Sequence, residues 1–126
     1  LLSIIDYIPK DFALVVKTNA LYNACTFDFN EDVADDLVYE LEKRGLKVEA
    51  QKQIQVYYDG KVLPVDYRID LLVEDKVILE LKSVSDLKDV HFKQMLTYLR
   101  ITKKRVGLLV NFNTEDIVKS IHRIVC

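Results

Sequence analysis

Three charged side chains fall at regular intervals within one apolar stretch. In residues 67–83, YRIDLLVEDKVILELKS, Asp70 lies between Ile69 and Leu71, and Glu80 and Lys82 alternate with Leu79 and Leu81. On a strand, residues two apart face the same way, so Glu80 and Lys82 share one face and the leucines take the other. Strands this apolar seldom give positions to charge without a partner. Pairing Asp70 with Glu80 in an antiparallel hairpin requires Val73 opposite Val77 and the three-residue loop Glu74-Asp75-Lys76. The same register sets Arg68 opposite Lys82. A two-residue loop would turn the carboxylates to opposite faces.

In that register the opposed Cβ atoms lie ~5 Å apart. Two carboxylates so close repel unless a proton or a cation sits between them. A hard divalent ion, Mg2+ (or Mn2+), suits an oxygen-only site, and the backbone carbonyl of Leu81 can add a ligand. Lys82 can then hold or deprotonate an attacking water and offset phosphate charge. That is the chemistry of metal-assisted phosphodiester hydrolysis. The competing reading is a solvated strand face with a Glu–Lys pair, because D-x(9)-E-x-K alone arises by chance in charged chains.

The next helical stretch offers two more groups. Gln94 and Tyr98 are four apart in HFKQMLTYL and share a helix face. Gln94 can bond a water or a phosphate, and Tyr98 can support it. Alternatively, Gln94 is a surface residue and Tyr98 a core aromatic with its hydroxyl at the rim. His91 lies three residues before Gln94 and can reach a phosphate, or is an exposed histidine. His122 has no acidic or cysteine neighbour in sequence. Lys103, Lys104 and Arg105 form a short basic cluster, either a solvated turn or a means of steering a phosphate backbone.

The elements that must position these groups follow from periodicity. Residues 11–24 allow an apolar helix, which residues 25–29 interrupt. A clearer helix starts at Asn30, with Glu31, Asp32, Asp35 and Asp36 in its first turns, Val33, Leu37 and Leu41 as its stripe, and Gly45 at its end. Residues 46–58 alternate as a strand, Asp59-Gly60 is a turn, and residues 61–73 resume extended structure with a break or edge at Pro64. Residues 77–83 give the next strand. Residues 86–101 are helical, with Val90, Met95, Leu96 and Leu99 apolar. Residues 105–111 read as a buried strand, and residues 115–125 as a closing amphipathic helix through Ile117, Val118, Ile121 and Ile124. The order predicts an α/β (α+β) domain built on a mixed sheet.

Composition bounds the rest. The 126 residues suit one domain, 1–126, and half are hydrophobic, enough for a single core. The net charge of -2 demands no nucleic acid, so any such surface is a local patch. Cys25 and Cys126 fit neither a zinc pattern nor a disulfide scaffold, which points to a reducing, cytoplasmic setting. No apolar run approaches the ~20 residues needed to span a bilayer, and no signal peptide is visible.

The runs YRIDLLVEDKVILELKSV and HFKQMLTYLRITKKRVGLLVNFN, with LVYELEKRGLKVE before them, resemble the GxxExxY proteins of the PD-(D/E)XK nuclease superfamily. The likeness covers roughly residues 30–125. It implies a restriction-endonuclease-like core, a central mixed β-sheet flanked by helices, with Asp70 and Glu80 matching metal ligands and Lys82 the catalytic lysine. Gln94 and Tyr98 match a Q-x-x-x-Y element of exonuclease-like members. The amino-terminal third, about 1–29, departs from the pattern. The Gly, Glu and Tyr of the name motif fall on Phe27, Asn30 and Val33, with Glu31 adjacent as a substitute metal ligand.

The expectation is therefore a metal-dependent nuclease that hydrolyses phosphodiester bonds of DNA or structured nucleic acid by a metal-activated water. It would act off the membrane, and as a homodimer or in a larger assembly. The alternative is a nuclease-like module that binds nucleic acid or a protein partner without turnover. A third reading is a scaffold alone.

Overall fold

The computed structural model describes residues 31–113 and 118–126. The helix expected over 11–24, the interruption at 25–29, the cap at Asn30, Phe27 and Cys25 lie outside the described residues, as does the side chain of Glu31.

Helix α1 spans Glu31–Lys43. It buries Leu37 and Leu41 completely, with Ala34 and Val38 beside them. It stops where Gly45 turns left-handed at φ 83°, and the Leu46 N–H reaches back to the Leu41 carbonyl. Strands β1 (Val48–Ile54), β4 (Tyr67–Val73), β5 (Val77–Lys82), β6 (Val106–Asn111) and β7 (Ile121–Val125) form one sheet in the order β1-β4-β5-β6-β7. Helix α2, Asp89–Thr102, connects β5 to β6, which run parallel, while the other neighbours are antiparallel. The β5 and β6 side chains are buried apart from half-buried Lys82, as expected for strands covered on both faces.

Each face has its own core. Leu71, Val73, Leu79 and Leu81 pack with Leu37 and Leu41 of α1. Leu72, Ile78 and Leu109 pack with Met95, Tyr98 and Leu99 of α2. The result is a central mixed sheet between helices, the restriction-endonuclease-like α+β arrangement. Gly107 lets α2 sit close, since a Cβ there would collide with the Met95 sulfur.

Residues 55–66, between β1 and β4, carry a two-stranded ribbon, β2 (Tyr57–Tyr58) and β3 (Lys61–Val62). Asp59 and Gly60 turn it with φ of 51° and 74°, the left-handed pair a two-residue hairpin needs. Pro64 falls in the break between β3 and β4.

Three expectations need correction. Residues 118–125 form a short 3-10 turn, Val118–Ser120, followed by β7, and not a helix. Ile121 packs in the α1 core and Ile124 in the α2 core. Their spacing of three, which imitates a helical stripe, instead serves two faces of a strand whose Ile and Val content suits extended backbone. Val90 is exposed and adds nothing to the α2 core. Arg68 does not face Lys82 in the ladder, because the β4–β5 pairing ends at Leu71–Leu79.

Candidate metal and catalytic site

The hairpin has the register that the apolar pattern demands. Val73 faces Val77 across Glu74-Asp75-Lys76, with Glu74 and Asp75 both at φ 54°. One step past Leu71–Leu79, side chains replace the backbone ladder. The Asp70 N–H donates to Glu80 Oε1 (3.1 Å), and the Leu81 N–H donates to Asp70 Oδ2 (2.7 Å).

The side chains of β4 change faces at this point. Leu71 and Val73 belong to the α1 core, but Ile69 and Tyr67, which regular alternation would place with them, pack on the α2 side. The change falls at Asp70. Across the β1–β4 ladder, Ala50 faces Leu71 and Lys52 faces Ile69, and Gln51 between them is left-handed, with φ 52°. Backbone of this kind in a non-glycine residue is uncommon and concentrates at functional positions.

Glu80 is 3% exposed, one of two buried polar or charged residues among those described. Desolvation, and then the neighbouring Asp70 carboxylate, push its pKa up from 4.5 to about 8. Lys82 offsets this only in part, with Nζ 4.0 Å from Glu80 Oε2. The ammonium instead donates to Gln94 Oε1 (2.9 Å), and Gln94 Nε2 donates to the Tyr98 hydroxyl (3.0 Å). Tyr98 is buried, its ring edge-on to Tyr67 at 5.8 Å. Burial and the Glu80 charge hold its hydroxyl pKa up. The structure thus brings together Asp70, Glu80, Lys82, Gln94 and Tyr98.

The donor set is chemically suited to a hard divalent cation. Each carboxylate accepts a backbone N–H through one oxygen, and Glu80 Oε2 faces the Lys82 ammonium at 4.0 Å. In a strand, a residue's N–H and C=O point to the same side. Lys82 faces β6, where its carbonyl accepts the Phe112 N–H (2.8 Å), so the Leu81 carbonyl points toward β4 and Asp70. Among the described residues no group of three or more His, Cys, Asp or Glu gathers. Two carboxylates with one carbonyl would leave the rest of such an ion's shell to water.

Other candidates lie elsewhere. His91 caps its own helix, its Nδ1 accepting the Lys88 N–H (2.9 Å). Lys103 is the left-handed C-cap of α2, and Lys104 is paired with Asp75 at the β4–β5 turn (3.1 Å). That turn is roughly 16 Å of β5 away from Lys82, so this cluster is not in contact with the site. His122 packs edge-on against Phe92 at 5.6 Å.

Sequence reasoning missed Asn111. It is 6% exposed at the end of β6, opposite Lys82. Its Oδ1 accepts the N–H groups of Val84 (3.1 Å) and Asn113 (3.2 Å), and its Nδ2 donates to the Val84 carbonyl (2.9 Å). It fixes the chain just beyond Lys82. An amide ending the apolar run VGLLVN was the available signal.

A sequence profile of the PD-(D/E)XK nuclease superfamily matches residues 12–124, most of the chain. The chain belongs to the PD-(D/E)XK nuclease superfamily. PD-(D/E)XK nucleases generally use divalent metals. A solved structure titled "Crystal structure of SSO0001" is similar at TM-score 0.50 and 19% identity, over 90% of this chain and 65% of that one. At that identity the likeness is one of fold, and the chain spans about 65% of that structure's length. No curated protein matches. Among the described residues no helix is long and apolar enough to cross a membrane.

Proposed function

We propose that this PD-(D/E)XK domain is a magnesium- or manganese-dependent nuclease that hydrolyses phosphodiester bonds of DNA, of the GxxExxY group. The observation that carries the reading is the carboxylate pair in the split hairpin, with Lys82 held beside it. Asp70, Glu80 and the Leu81 carbonyl would hold the ion. When bound, such an ion neutralises phosphate charge and makes water a better nucleophile. Lys82 orients the attacking water and offsets charge that builds on the phosphate. Gln94 fixes the lysine, and Tyr98 fixes Gln94 (both are positioning residues).

A second reading has support in the sequence. The place of the family's helical glutamate holds Asn30, with Glu31 one residue on, which favours a binding module without turnover. Plasmid nicking separates the two. The wild type should nick with magnesium or manganese and not in EDTA, and Lys82→Ala should be slower by about 100-fold or more. Metal-dependent DNA binding without nicking selects the module. Equal nicking by Lys82→Ala removes the proposed role of the lysine.

A further inference from the structure

The ribbon of residues 57–62 is exposed at all six positions. Tyr57 and Tyr58 are 64% and 73% exposed, in a hairpin that is not hydrogen-bonded into the five-stranded sheet. An isolated two-stranded hairpin is marginally stable and buries little, so aromatic side chains on it add nothing to a core. We propose that this ribbon is a stacking arm for unpaired bases of the nucleic acid engaged at the Asp70–Glu80 site. The identity of the ligand rests on the nuclease reading.

Position supports this. The ribbon leaves the sheet between the Ile54 end of β1 and the Tyr67 end of β4, where the ladder ends at the Ile54–Tyr67 pair. That is the sheet end at which β5 finishes with Glu80 and Lys82, opposite the Glu74-Asp75-Lys76 turn. Gln51 lies between the Ala50–Leu71 and Lys52–Ile69 pairs, level with Asp70, and Tyr58 is seven residues further on, at most about 25 Å. A strand at the site would reach the arm within about seven nucleotides.

Charge and shape select the ligand. Asp59 and Lys61 cancel, so the ribbon has no excess positive charge with which to grip phosphates. What it offers is ring surface, and tyrosine stacking on bases needs those bases unpaired. The register puts Tyr57 with Val62 on one face and Tyr58 with Lys61 on the other. Divided between two faces, this apolar surface makes no single patch near the roughly 800 Å² per partner of a stable dimer. Bases can use each face separately.

The test is fluorescence anisotropy in EDTA, where turnover cannot consume the probe. The probes are a thymidine oligonucleotide of about 20 nucleotides and a blunt duplex of the same length. The Tyr57→Ala/Tyr58→Ala variant should bind the single strand about tenfold or more weakly, with an unchanged salt slope and little change on duplex. The Tyr57→Phe/Tyr58→Phe variant should bind nearly as the wild type does. The chain has no Trp, so tyrosine emission is directly readable, and its quenching by the oligonucleotide should shrink in the alanine variant. Equal weakening on both probes, no single-strand binding by the wild type, or a wild-type dimer that the alanine variant breaks would each overturn the proposal. A wild type that shows the binding pattern but never nicks plasmid supports the arm and removes only the nuclease reading.

Discussion

Glu80 ties site chemistry to stability. Its folded pKa of about 8 stands above the ordinary 4.5, so between those values the folded chain holds a proton that the unfolded chain has released. The stabilisation is complete below about pH 4.5 and fades as pH rises through about 8. Metal-free protein should therefore lose stability over that window, by at most about 1.4 kcal/mol per pH unit from this group. Glu80→Gln should flatten this part of the profile in urea melts, and an unchanged slope would refute the assignment. The carboxylate pair was legible in the sequence because an odd loop between two alternating apolar runs forces both acids to one face. Asn111 and the helix cap at His91 were not. Asn111 depends on Val84, whose position only the tertiary fold supplies, while the His91 cap is local but opens on Lys88, which is not among the residue types that signal an N-cap.

Among the elements, α2 supplies two of the five clustered side chains, and its seat is Gly107. An added Cβ would press on the sulfur and terminal methyl of Met95, the flexible end of a fully buried side chain that must shift within the core. Gly107→Ala should cost about 1–3 kcal/mol by chemical denaturation. The cost should shrink in a Met95→Val background, where the obstructing atoms are gone. Equal costs in both backgrounds would mean that the two residues do not meet. Most elements were readable from period and punctuation, with Gly45, Asp59-Gly60 and Pro64 falling where the chain turns or breaks. Strand β7 was not, since Ile121 and Ile124 satisfy a helical period and an edge strand between two cores equally well. The change of faces along β4 at Asp70 was invisible too. It shows only in Ile69 joining the α2 core and in the left-handed Gln51 across the ladder.

For the whole molecule, a site that gathers two carboxylates in a partly buried hairpin links folding to ion binding. Saturating magnesium should raise the melting temperature by several degrees near pH 8, since a ligand at 100 times its Kd adds about 2.7 kcal/mol. Asp70→Asn should abolish most of that rise, because its amide oxygen can still accept the Leu81 N–H but carries no charge. A rise of the same size in the variant would place the ion elsewhere. The hairpin also supplies its own instrument. The backbone amides of Asp70 and Leu81 are bonded to the two carboxylates themselves, so the resonances of these two protons register the electrostatic state of the pair without any added label. Proton loss, or cation arrival, is thereby written into main-chain positions that a heteronuclear spectrum can follow one residue at a time.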